Sequence, residues 1–216
     1  NVEQFVLANE YVKTGTVDDL KALKGKSMGM GKQNSGTIGS NDVLLKGLGI
    51  DMEKDYKLMY AGYGPTADAF ANGQIVGAGM CGGPPTGALT KLMAANKGKF
   101  TILEITPEQG KVMDGGRKLW VPYTLAKGSY PGQEKEINTI AQPNFLAVND
   151  NVDEEHVYKL TKTMYENLTF LAAIHPAVKV MNIQKAMDGL PVPLHPGAVR
   201  YYKEVGLTVP AHLIVK

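Results

Sequence analysis

Short apolar runs alternate with amphipathic stretches over the first hundred residues. Gln4-Phe5-Val6-Leu7-Ala8 is a compact apolar run that predicts a buried strand. Thr16-Val17-Asp18-Asp19-Leu20 has a capping hydroxyl followed by acids, which predicts a helix start. Ser27–Gly31 predicts a second strand, and a helix is expected from Thr37 to Leu48, closed by Gly49. Tyr56–Tyr60 is a strand candidate. Pro65 is expected to open a helix that Gly73 closes. Gln74–Met80 predicts a buried strand, Thr86–Ala95 a helix and Thr101–Ile105 a strand. Strands and helices in this alternation, joined by short loops, predict an α/β sheet with helices on its faces.

The pattern loosens from Thr106 to Gln133, where Gly115-Gly116 and Tyr130-Pro131-Gly132 signal loops. Ile137–Val148 is strand-like. Asp153–Ile174 predicts one long amphipathic helix with Val157, Leu160, Met164, Leu168 and Leu171 on its apolar face, stopped by Pro176. A shorter helix over Ala177–Met187 precedes a tail rich in Pro and Gly. The organisation is an α/β lobe followed by a more helical region.

Composition narrows the functions available. The chain has 216 residues, 44% of them hydrophobic and 20% charged, with a net charge of +2. That balance is ordinary for a globular protein and lacks the basic excess of a nucleic-acid binder. The longest apolar runs, such as Leu168–Ile174, are too short to cross a bilayer. Cys81 is the single cysteine, so no intrachain disulfide forms, and the compartment stays open on this count. Only two arginines occur, Arg117 and Arg200, so an anion would be held largely by hydroxyls, lysines or backbone amides. No signal-peptide pattern opens the chain, and a strand at its first residues is expected to belong to a fold already begun.

Two strand-to-helix turns carry the candidate chemistry. In Gln33-Asn34-Ser35-Gly36-Thr37 a helix start offers unpaired amides, hydroxyls from Ser35 and Thr37, and close approach at Gly36. The same turn also reads as a simple cap, with Ser35 satisfying the helix's own amides. It is neither a P-loop nor a dinucleotide fingerprint. Gly79-Met80-Cys81-Gly82-Gly83-Pro84-Pro85-Thr86 is the second turn, with Pro85 expected at the first helical position. Ligands of open α/β sheets sit where such turns converge, at the carboxyl ends of strands. A third turn, Ala61–Thr66, adds Tyr63. Cys81 ahead of a helix start is a possible nucleophile or a buried thiol. His156, His175, His195 and His212 are too far apart in sequence for the usual close metal-ligand pairs, and no metal site, catalytic constellation or cofactor motif stands out.

The run Pro193-Leu194-His195-Pro196-Gly197-Ala198-x-Arg200-Tyr201-Tyr202-x-Glu204-x-Gly206 closely resembles the C-terminal signature of the TAXI family, the extracytoplasmic solute-binding subunits of TRAP transporters. Leu23-Lys24-Gly25-Lys26 with Ser35-Gly36-Thr37, Gly73-Gln74-Ile75 with Gly83-x-Pro85-Thr86, and Tyr130-Pro131-Gly132-Gln133 with Val157-Tyr158 extend the resemblance along the chain. Val76 stands where that family usually has aspartate, and the family's glycine-rich first-lobe segment has no counterpart here.

The resemblance implies a two-lobed periplasmic-binding-protein fold of type II, one lobe incomplete. The second lobe is expected over residues 25–105, and the incomplete first lobe over 1–24 and 106–216. It implies capture of a small organic acid or amino acid, such as glutamate, glutamine or 2-oxoglutarate, outside the cytoplasm, in the periplasm of a cell that has one. Delivery would be to the membrane subunits of a TRAP transporter, without catalysis, cofactor, nucleic acid or membrane insertion. The expected ligand-binding residues are Gln33, Ser35, Gly36, Thr37, Tyr63, Gly83, Thr86 and Arg117. An α/β enzyme acting on a carboxylated or phosphorylated metabolite, through Cys81 or His195, is one alternative. The effector-binding domain of a transcription regulator is the other.

Overall fold

The computed structural model describes residues 1–215, Pro176 through its backbone only, and resolves into two compact units, Asn1–Gln142 and Pro143–Lys216. Lys216, the last residue of the expected first-lobe range, lies outside the described residues. In the first unit the elements are β1 (Phe5–Ala8), β2 (Ser27–Gly31), α1 (Gly36–Gly47), α2 (Met52–Asp55), β3 (Lys57–Tyr60) and α3 (Tyr63–Ala71). Then come β4 (Gly77–Gly79), α4 (Gly87–Ala95), β5 (Phe100–Ile102), α5 (Pro107–Asp114), β6 (Val121–Leu125) and β7 (Ile137–Ala141).

Five strands form one sheet in the order β3-β2-β4-β1-β5. β2 runs parallel to both β3 and β4, whereas β1 pairs antiparallel with β4 and β5. The α/β fold expected from the alternation is therefore present, with one strand, β1, running against the others. β1 comes from residues that precede the expected second lobe. Residues 1–24 contribute a strand to the interior of the sheet built by residues 25–105, with Val6 opposite both Ala78 and Ile102. Residues 106–142 belong to the same unit.

Period-two alternation distributes the core to both faces of the sheet. Phe5, Leu7, Met28 and Met30 pack with Leu44, Leu45 and Met113 on the face covered by α1 and α5. Val6, Ala78, Met80 and Ile102 pack with Phe70, Leu89 and Leu92 on the face covered by α3 and α4. The rings of Phe70 and Phe100 lie 4.4 Å apart at 44° in that second layer. Each fully buried side chain of this size contributes about 1.5–3 kcal/mol through apolar burial.

Several elements depart from the sequence pattern. α3 begins at Tyr63, two residues before Pro65, because proline is tolerated throughout the first helical turn, where its missing amide would be unpaired anyway. Pro85 lies ahead of α4, whose N-cap is Thr86. In the stretch read as loop, Thr106 and Gln109 form a reciprocal capping box that starts α5. The β6–β7 hairpin follows, its β6 too mixed in polarity to show an alternation.

The second unit contains α6 (Glu154–Glu166), α7 (Leu168–Ile174) and α8 (Pro196–Glu204). The single long helix expected over Asp153–Ile174 is broken at Asn167, which leaves helical geometry at φ −118°, ψ 26° while its side chain bonds the Thr163 carbonyl. The helix expected over Ala177–Met187 is instead two short 3₁₀ turns, Pro176–Val180 and Ile183–Lys185. The C-terminal sequence run proves to be a packing device. His195 caps α8 by accepting from the Gly197 amide and bonds the Val152 carbonyl through Nε2. Gly197 lets α8 touch α6: a Cβ there would lie 2.3 Å from the Glu154 carbonyl oxygen. Tyr201 and Tyr202 fill the core between them, and Arg200 stacks 3.9 Å over the Tyr158 ring while pairing with Glu155.

Candidate functional site

The parallel strands β2, β3 and β4 all end at one edge of the sheet, and their turns bring hydroxyls together there. Gly31 makes the first turn possible. It has φ +123°, and a Cβ on it would stand 2.9 Å from the Ile38 amide, so only glycine allows β2 to run this tightly into α1. Ser35 then caps α1, accepting from Ile38 N at 3.4 Å. The first amides of a twelve-residue helix have no partners within it, and the positive end of its dipole lies at the same place. Asn41, fully buried one turn further on, donates to the carbonyl of Met30 at 2.9 Å and of Gly79 at 3.5 Å, holding the ends of β2 and β4 together.

Two hydroxyl networks meet at the segment after β4. In the first, Tyr63 from the start of α3 lies 2.9 Å from the Thr37 hydroxyl. The Tyr63 hydroxyl donates to the Cys81 carbonyl and sits 3.4 Å from the Cys81 sulfur. With its one hydrogen directed to that carbonyl, Tyr63 accepts from Thr37. In the second, the Tyr130 hydroxyl accepts from the Thr86 amide at 2.9 Å, lies 3.2 Å from the Thr86 hydroxyl and donates to Gln4 Oε1. Gln4 Nε2 in turn reaches the Met80 and Gly82 carbonyls at 3.4 and 3.3 Å.

Of the residues expected from sequence, Ser35, Gly36, Thr37 and Tyr63 therefore gather at one helix start, and Thr86 stands on the neighbouring turn that Cys81 and Gly83 share. Gln33 is exposed on the first turn and Gly83 half-buried on the second. Arg117 is not brought to this cluster: it is exposed, and its guanidinium donates to the Asp114 carbonyl of its own loop at 2.9 Å. Gln4 and Tyr130 were not predicted as site residues. The Tyr130–Gln133 motif was visible, and its role is now clear. Gln133 bonds Tyr130 N and the Ala126 and Lys135 carbonyls, folding the loop that presents the Tyr130 hydroxyl to Thr86.

The electrostatics disfavour nucleophilic chemistry at Cys81. Burial pushes the Cys81 thiol up from its ordinary value, as does the negative charge of Glu3 nearby, so the thiolate is disfavoured. Tyr63 is also raised by burial and stays a neutral donor. His195, the other residue considered for catalysis, is occupied in capping α8. The groove of about 420 Å³ in the second unit is lined mainly by apolar side chains such as Leu160, Met164, Leu190 and Val192.

The strand-to-helix turns of the sheet thus bring neutral hydroxyl groups together at its carboxyl edge. The chain belongs to the NMT1-like family, whose pattern matches residues 1–206. Among solved structures it is similar to the periplasmic aliphatic sulphonate binding protein SsuA of Escherichia coli. The identity is 13% over 94% of this chain and 47% of that one, with a TM-score of 0.38. It is also similar to a putative sulfonate-binding SsuA of Methylobacillus flagellatus, at 15% identity, 96% and 60% coverage and TM-score 0.45. A third is a phosphonate-transporter binding protein of Pseudomonas aeruginosa, at 15% identity, 94% and 68% coverage and TM-score 0.35. The chain spans about half to two-thirds of the length of these proteins. Among the described residues no helix is long and apolar enough to cross a membrane.

Proposed function

We propose that this chain is the ligand-holding portion of an extracytoplasmic solute-binding protein. It captures a small organic anion at the α1 and α4 turns and delivers it to the membrane subunits of a transporter. The observation that carries the reading is the gathering of Thr37, Tyr63 and Thr86 on adjacent turns at the carboxyl edge of the parallel strands, beside the unpaired amides of α1. Such a turn holds a carboxylate or a tetrahedral oxyanion without a charged partner. The TAXI-like C-terminal run favours glutamate, glutamine or 2-oxoglutarate as solute and a TRAP transporter as partner. Alkanesulfonates and alkylphosphonates, after which the similar solved structures are named, belong in the same trial. Ser35, Gly36, Thr37, Tyr63, Gly83 and Thr86 are the proposed contacts, with Gln33 at the rim. The raised Cys81 thiol gives the enzyme alternative no support.

Thermal unfolding with each of these compounds tests the reading. A ligand present at a hundred times its Kd stabilises by about 2.7 kcal/mol. For a chain of this size that raises Tm by about 5–10 °C. A rise with at least one compound, lost in the Thr37→Val protein, is expected. No shift with any of them overturns the proposal.

A further inference from the structure

Beside this site lies an acid that the hydroxyl networks do not use. Glu3, just ahead of β1, is 1% exposed. Its Oε1 accepts from Trp120 Nε1 at 3.0 Å, whereas Oε2 is buried and has no hydrogen-bond partner among the described residues. Its polar neighbours are the Cys81 thiol and, further off, the Tyr63 hydroxyl, which itself touches Thr37. The carboxyl is thus linked through Cys81 and Tyr63 to the first turn of α1.

We propose that Glu3 sets the charge of the site, so that an anion held at the Ser35–Thr37 turn binds together with one proton taken up on Glu3. The inference rests on the solute-binding reading and adds its pH dependence. Two negative charges in a poorly hydrated setting repel strongly, and the group with a free oxygen relieves this by taking a proton from solvent. Oε2 is the atom available to receive it. Burial already pushes this acid above its ordinary value, opposed chiefly by the Trp120 bond. The other titratable groups facing it, Cys81 and Tyr63, are themselves raised and remain neutral. All four histidines lie in the second unit.

Ethanesulfonate and 2-oxoglutarate are suitable probes, because both are fully ionised between pH 5.5 and 8. Calorimetric titration in two buffers of different ionisation enthalpy reads the protons taken up on binding. The wild-type protein should take up close to one proton at pH 8 and bind at least tenfold more weakly there than at pH 5.5. Glu3→Gln, and Glu3→Ala should the first variant fail to fold, should bind with no uptake and little pH dependence. Trp120, the only tryptophan, gives a readout that needs no variant: its fluorescence titration midpoint should move up when the probe is added. Wild-type binding without proton uptake overturns the proposal, and so does uptake that persists in either variant. Failure of both probes to bind at either pH overturns the solute-binding reading, and this inference with it.

Discussion

Replacing Thr37 by valine removes one hydroxyl while keeping the shape of the side chain. In the ligand-free protein the loss is the bond to Tyr63, 2.9 Å long and half-buried. A bond of that kind contributes about 0.5–1.5 kcal/mol net to stability. For a chain of this size Tm should therefore fall by only about 1–6 °C. In the liganded protein the hydroxyl would face an anion, and a hydrogen bond to a charged group is worth about 1.5–3 kcal/mol. Affinity should then drop by about ten- to a hundredfold, since 1.4 kcal/mol is one decade. Calorimetry of both proteins with the tightest-binding probe separates the two effects. A folded Thr37→Val protein that binds within twofold of wild type would remove this turn from the site.

Three further predictions address stability. Gly197→Ala places a methyl 2.3 Å from the Glu154 carbonyl and should cost on the order of 1–3 kcal/mol, seen as a lower Tm with anion affinity unchanged. Burial pushes Asp114 up, but bonds from the Lys118, Leu119 and Trp120 amides outweigh it and hold this carboxyl below its ordinary value. Its contribution is present above pH 4 and lost as pH falls through the lowered value, so urea unfolding from pH 6 to 2.5 should show a steeper acid loss in wild type than in Asp114→Asn. Glu3, raised instead, acts in the opposite sense. Its contribution is full below its ordinary value of 4.5 and is lost as pH rises through the folded one, a decline that Glu3→Gln should flatten.

The parallel part of the sheet was legible because each of its strands is short and runs through a turn rich in glycine or hydroxyls into a helix. Ser27–Gly31 shows this most clearly: the expected strand is the observed one, and Ser35 caps the helix that follows. The convergence of Thr37 with Tyr63 followed from topology, since successive parallel strands deliver their turns to the same edge. What escaped was contact between distant segments. Glu3 reaches Trp120 across 117 positions, and Tyr130 reaches Gln4 across 126. No local periodicity encodes such pairs. Arg117, an expected contact on the strength of arginine's scarcity, has its guanidinium bonded to the Asp114 carbonyl of its own loop, a local pairing that spacing does not reveal. The break at Asn167 was hidden because Leu168 and Leu171 continue the helical spacing past it.

The central claim is that anions are held at the α1 and α4 turns. An NMR titration of the ¹⁵N-labelled protein with ethanesulfonate and with 2-oxoglutarate tests it most directly. The account predicts saturable shifts concentrated at the amides of Gly36, Thr37 and Thr86, with smaller ones at Cys81 and Gly83. Shifts confined to the second unit, or none at these turns at saturating concentration, would contradict it.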